Sequence, residues 1–216
     1  MSFTDIILQL LPGMGRSIMI FLLTLVFSMP LGLLVTFGRM SKCKILRWIV
    51  NAYISIMRGT PLMLQLMVVY FGPFFIFGIR ITDSYRLYAV FIAFAINYAA
   101  YFAEIYRGGI MAVDNGQYEA AKLLGYSKSQ TFGKIILPQV IKTILPSITN
   151  EVITLVKDTS LSFAIANLEM FTMAKALAAA QKSMLPFIAA AIFYYIFNFI
   201  VAFIMDKLEK KLSYYR

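Results

Sequence analysis

Residues 17–38, 59–79 and 183–205 contain no Asp, Glu, Lys or Arg. A helix crosses the hydrocarbon core of a bilayer with roughly 20 predominantly apolar residues, so each of these runs is long enough to span a membrane. Two further stretches are less clean. Residues 87–103 are uncharged and run into Glu104, and residues 139–166 are apolar but interrupted by Lys142, Glu151, Lys157 and Asp158. The chain therefore reads as an all-α membrane protein of about five transmembrane helices, the fourth being the least regular. Composition agrees: 61% of residues are hydrophobic and 14% charged, against about a quarter charged in a soluble domain.

The net charge of +10 could point to nucleic acid, but the basic residues cluster at the ends of the apolar runs, where they set orientation instead. No nucleic-acid partner is expected. Arg39, Lys42, Lys44, Arg47 and Arg58 lie between the first two spans with no acid among them, which places that connection in the cytoplasm and the N-terminus outside. Alternation then puts residues 107–134 and the tail from Asp206 inside. With Lys142 at the inner end of span four, the inner side holds 14 of the 20 Lys and Arg. Trp48, Tyr53, Tyr85, Tyr88, Tyr214 and Tyr215 stand near span ends, where aromatic rings anchor to the interface. Residues 1–12 carry Asp5 and no Lys or Arg, unlike the basic start of a cleaved signal peptide.

With one cysteine, Cys43, and no histidine, an internal disulfide, a His-ligated metal site and a Ser–His catalytic pair are excluded. No metal site is expected. No phosphate-binding Gly-x-x-x-x-Gly-Lys loop is present, so the chain is not read as an enzyme, and any ATP is hydrolysed by another polypeptide. No repeat, low-complexity stretch or linker divides the sequence, so residues 1–216 form one transmembrane domain.

The segment of about thirty residues joining spans three and four is long for a connection without a task of its own. Asp114, followed three residues later by Gln117, is a helix-start signature, and residues 118–124 have high helix propensity. Gly125 then stands where a helix stops, because glycine adopts positive φ at little cost. Tyr118, Ala121, Leu123 and Leu124 offer a small apolar face, too small for a core of its own and suited to a partner.

Glu119-Ala120-Ala121, three residues, Gly125, nine residues, then Ile135, Leu137 and Pro138 resembles the signature loop of the inner-membrane subunits of ATP-binding-cassette importers. Other motifs narrow the resemblance to the polar amino-acid branch: Arg58-Gly59-Thr60-Pro61-Leu62, Ala103-Glu104-Ile105-Tyr106-Arg107-Gly108, Gly116-Gln117, and Lys157-Asp158-Thr159-Ser160-Leu161. It covers most of residues 57–166. The resemblance implies a permease domain in a prokaryotic inner membrane, with a coupling segment at about 112–138. Gly116, Gln117, Glu119, Ala120, Ala121, Gly125, Leu137 and Pro138 would then engage a cytoplasmic ATPase dimer that binds ATP and Mg, this chain holding no cofactor itself. It also implies a second permease subunit, identical or paralogous, and an extracytoplasmic amino-acid-binding protein.

Ionisable groups inside a membrane are costly and are usually paired or functional. Asn150 and Glu151 lie well inside the fourth span, with Lys157, Asp158, Thr159 and Ser160 up to about two turns further on. Hydroxyls and charges in that order favour a break in the helix, and broken helices are where transporters meet substrate. Asn97 and Tyr101, four apart on span three, would complete a pocket. The acid Glu151 leans the substrate toward basic amino acids such as arginine. Lys157 and Asp158 pairing with each other or with another subunit, and so holding the fold, is the structural alternative. At the level of function, the alternative is an ion-gradient-driven secondary amino-acid transporter or channel, which would leave the signature loop unexplained.

Overall fold

A computed structural model describes residues 2–212; the anchoring expected of Tyr214 and Tyr215 lies outside it. Among the described residues nine α-helices run in chain order: α1 (Phe3–Arg39), α2 (Lys44–Gly59), α3 (Leu62–Phe77), α4 (Asp83–Met111), α5 (Asn115–Leu123), α6 (Lys128–Thr131), α7 (Leu137–Asp158), α8 (Met170–Gln181) and α9 (Leu185–Leu212). Three of them, α1, α4 and α9, are each long and apolar enough to cross a membrane. The count reaches five when two bent pairs each count as one span: α2 with α3, bent by 111°, and residues 128–165 with α8, bent by 57°. Five spans were expected, but not the helix preceding the second. Residues 44–59 were read as a cytoplasmic connection because of their cations, whereas those cations fall on one side of α2.

The α1–α4 pair forms the centre. Lipid supplies no hydrophobic drive between helices, so close backbone approach by small residues takes its place. A Cβ at Gly32 would sit 2.8 Å from that of Phe102 and 3.1 Å from the Ala99 carbonyl oxygen, so only glycine fits there. One turn on, the Thr36 hydroxyl donates to the Gly32 carbonyl at 2.8 Å and reaches that of Ala103 at 3.1 Å. Phe94, Tyr98 and Phe102 of α4 then pack with Leu66 and Tyr70 of α3 and with Val152, Leu155 and Val156 of α7.

The break expected after the fourth span is present. Residues 159–165 wind as a tighter 3-10 helix that ends at Ala166 in the left-handed region. Thr159, Ser160 and Ser162 each turn the hydroxyl back onto the carbonyl three residues earlier, at 2.8, 2.7 and 2.9 Å. Such bonds compete with regular α-helical pairing. At the other end of α7 a π-helical turn covers Phe132–Ile136. Pro138, with no N–H and a ring that crowds the carbonyl four residues back, is the physical reason to widen the helix there.

Tyr53 and Tyr85, expected at the interface, are tied to carbonyls: Tyr53 Oη donates to Ile96 at 2.5 Å and Tyr85 Oη to Val69 at 2.9 Å. Trp48 and Tyr88 are exposed.

Candidate functional site

The corner between α2 and α3 fixes one wall of a cavity. Pro61 restrains the residue before it to an extended backbone, and Thr60 is extended, ending α2. Proline also starts α3 without losing a hydrogen bond. The free carbonyls of the corner are gathered by two amides. Gln65 Nε2 donates to Met57 O at 3.0 Å, Thr60 O at 3.1 Å and Thr60 Oγ1 at 2.8 Å. Asn97 Nδ2 of α4 donates to Met57 O at 3.1 Å and to Gln65 Oε1 at 2.9 Å. The clamp leaves the Arg58 guanidinium over the Tyr101 ring, 5.4 Å from its centroid.

Opposite stands α7, whose Thr143, Ser147 and Glu151 recur every four residues and so share one face. That face meets α4 because Gly109 has no side chain: a Cβ there would collide with Ile144 and crowd Val140. Between the walls lies a cavity of about 390 Å³ lined by Arg58, Tyr101, Glu104, Thr143, Ser147 and Glu151. Small-molecule sites begin at roughly 300 Å³. Glu104 is neutralised: its carboxylate pairs with Arg107 at 2.7 Å and Arg39 at 3.4 Å. Arg58 and Glu151 have no ion-pair partner among the described residues. The cavity therefore offers a cation and an anion outside any ion pair among the described residues, the Thr143 and Ser147 hydroxyls and an aromatic face.

Of the residues singled out in the sequence, the structure brings Tyr101 and Glu151 together and sets the others elsewhere. Asn97 is buried in the corner clamp. Asn150 and Lys157 are exposed outside the cavity. Asp158 does not pair with Lys157 but accepts the Tyr98 hydroxyl at 2.7 Å. Thr159 is fully buried, and Ser160 bonds its own helix. In the sequence Arg58 counts only as an orientation charge and a motif residue, and Thr143 and Ser147 are not singled out, although their spacing to Glu151 is the signal.

The cytoplasmic segment folds as its residues suggest. Asp114 Oδ1 accepts from the Gly116 N–H at 2.6 Å, capping α5. The Gln117 side chain does not return the bond to the cap; its oxygen instead accepts from Gln139 at 3.4 Å. At the far end Gly125 has φ +80°. Its N–H reaches the Lys122 carbonyl and that of Tyr126 reaches Ala121, at 3.1 and 3.0 Å, the paired bonds of a glycine-terminated helix. Ala121 is 1% exposed, while Leu123 is 89% and Leu124 74% exposed, with Glu119, Ala120, Leu137 and Pro138 also at the surface. Large apolar groups stand uncovered on a short helix.

Residues 28–214 match the family of binding-protein-dependent transport system inner membrane components. A putative glutamine transport system permease protein of Rickettsia bellii is 35% identical, the alignment covering 98% of this chain and 96% of that protein. The chain belongs to this permease family. Another relative of the permease, an arginine transport system permease protein of Bacillus subtilis, is 36% identical over 94% of this chain and 92% of its own length. Among solved structures, an amino acid ABC transporter crystallised with histidines superimposes with a TM-score of 0.87 at 30% identity, over 98% of the permease and 99% of that chain. Membership places the permease in the inner membrane and implies ATPase and binding-protein partners. The ion-gradient alternative lapses with it.

Proposed function

We propose that this permease carries amino acids and that the cavity between α2, α4 and α7 holds the zwitterion in transit. The observation that carries this reading is the pair of opposite charges, Arg58 and Glu151, that line one small cavity with no ion pair among the described residues. Arg58 suits an α-carboxylate, a planar fork for a planar anion. Glu151 faces the ammonium or a cationic side chain, and Thr143, Ser147 and Tyr101 supply neutral contacts. Relatives named for glutamine, cystine and arginine transport support the class. Within it, Glu151 favours basic substrates such as arginine, because the neighbouring Glu104 is already neutralised.

In this reading α5 seats Leu123 and Leu124 in a cytoplasmic ATPase dimer that binds ATP and Mg, and a second permease subunit, identical or paralogous, completes the pathway. An extracytoplasmic binding protein delivers the amino acid. Nucleotide-driven closure moves α5 and, through α4 and α7, the two walls of the cavity, a displacement between discrete packings.

Competition binding on the purified complex tests the site. Glu151→Gln removes a charge-assisted contact of roughly 1.5 to 3 kcal/mol, so arginine or lysine should bind about tenfold or more weakly while glutamine changes less. Equal losses would assign Glu151 to the common ammonium; unchanged binding would remove it from the site. Coupling has its own test. Gly125→Val places a β-branched residue at positive φ, a strain of about 1–3 kcal/mol, so substrate-stimulated ATP hydrolysis should fall while the variant still inserts and assembles. Full ATP-dependent uptake by that variant would overturn the role given to α5.

A further inference from the structure

Helix α2 carries exposed residues beyond those that the fold and the cavity use. On α2, Lys44, Arg47, Asn51, Ser55 and Arg58 recur at spacings of three and four and make one polar stripe. The rest of the circumference is apolar and divides in two. Val50, Tyr53, Ile54 and Met57 pack against α1 and α4. Ile45, Trp48, Ile49 and Ile56 cover nothing: Ile45 is 72% and Trp48 71% exposed. At the start of α2 the cations Lys42, Lys44 and Arg47 are exposed, with no ion pair among the described residues.

The position of α2 follows from its contacts. It begins near Arg39, the inner end of α1, and climbs only as far as Asn97 of α4, which clamps Met57. Asn97 lies ten residues before Arg107 on α4, about 15 Å along the helix axis. A bend of 111° then turns the chain into α3. A shallow amphipathic helix, basic on its polar side with Trp and aliphatic residues on the other, is the pattern of a helix lying in a membrane interface. The inner surface of such a membrane carries anionic headgroups that attract basic segments within a Debye length.

We propose that α2 is an interfacial helix and that Lys42, Lys44 and Arg47 bind the phosphates of anionic phospholipids, with Trp48, Ile45 and Ile49 inserted among the acyl chains below. Charge complementarity selects this occupant: the segment from Arg39 to Arg58 has five cations and no acid, and with Arg39 held by Glu104 and Arg58 over the Tyr101 ring, Lys42, Lys44 and Arg47 are the three that face outward. Because Arg58 closes the same helix and lines the cavity, lipid held at one end of α2 steadies the cation at the other. Anionic lipid thereby supports transport.

Trp48 is the only tryptophan of the chain, which makes it a reporter. The intact complex with its ATPase is reconstituted into phosphatidylcholine bilayers carrying equal fractions of brominated phosphatidylcholine or brominated phosphatidylglycerol, and a Trp48→Phe complex supplies the background. Quenching of the Trp48 signal by both lipids is expected, at least about twofold stronger for phosphatidylglycerol, with the excess abolished in high salt. The combined variant Lys42→Gln, Lys44→Gln, Arg47→Gln should lose the excess but keep the rest, and should lose the rise in ATP-dependent uptake that phosphatidylglycerol gives the wild type. Absence of quenching by either lipid would show this face covered by another subunit and overturn the proposal. Equal quenching in wild type at low salt would overturn the binding of anionic headgroups, a result independent of whether any variant inserts correctly.

Discussion

At the break before α8 the carboxylate of Glu169 is fully buried and accepts four hydrogen bonds, whereas in the cavity Glu151 sits half-buried with no ion pair among the described residues. The Glu169 oxygens take the N–H groups of Phe171 and Thr172 at 2.7 and 2.8 Å, the Thr172 hydroxyl at 2.8 Å and the Tyr194 hydroxyl of α9 at 3.0 Å. It caps α8, satisfies donors that a helix start leaves free, and ties α8 to α9. A buried charge with every acceptor position engaged is a structural device; a charge left open beside a cation is, in the function proposed, the place for a ligand. In the function proposed, the same amino-acid type thus holds the bundle at the break and meets a ligand in the cavity.

The largest effect should follow from breaking the satisfied site. Glu169→Ala takes the acceptor from four part-buried donors, each costing about 1–3 kcal/mol when unpaired, so stability should fall by at least about 3 kcal/mol. Glu169→Gln keeps one acceptor oxygen and should lie between the variant and wild type. Survival of the assembled complex after graded heating, followed by size-exclusion, measures both. Glu151→Gln should leave the same assay unchanged, since no partner loses a bond. If Glu151→Gln destabilises as much as Glu169→Ala, the two carboxylates do the same job and the contrast fails.

Asn97 makes the contrast sharper, because the sequence placed it in the substrate site and the structure places it in the α2–α3 clamp. Removing its amide in Asn97→Ala loses two hydrogen bonds, although Gln65 still holds the Met57 carbonyl. A loss of about 1–2 kcal/mol in stability is expected. Arginine and glutamine affinities should shift together and by no more than about threefold. A selective loss of one substrate would return Asn97 to the binding surface.

These cases also show what could be read from residues alone. Uncharged runs gave away α1, α3 and α9, and less cleanly α4, because free charge is costly in lipid, and Gly125 betrayed the end of α5, because only a few residues adopt positive φ. The helix α2 was hidden by its own amphipathicity. Its cations stand on one stripe, and a charge every three or four residues interrupts any linear search for apolar length. Short α8 carries no such length, and its cap, Glu169, lies four residues beyond an irregular turn. In the site, Glu151 was legible as an acid in an apolar span. Arg58 was not, since its partners come from helices remote in sequence and only the folded corner turns it inward.

The smallest effect belongs to Tyr98, whose hydroxyl donates to Asp158 Oδ2 at 2.7 Å. Here a carboxylate in a membrane helix is neither saturated like Glu169 nor empty like Glu151. Asp158 is partly exposed, and Lys157 beside it is open to solvent, so water replaces a lost donor more readily than at Glu169. Tyr98→Phe should therefore cost only about 1 kcal/mol in thermal stability. ATP-dependent uptake of arginine and of glutamine should stay within about twofold of wild type, because the tyrosine ring, buried against Phe102 and Tyr101, is retained. The informative result would be the opposite split, with unchanged stability and a collapse of uptake. Asp158 would then belong to the path of the substrate, and the division between a structural break on the outer side of α7 and a binding cavity on its inner side would have to be redrawn.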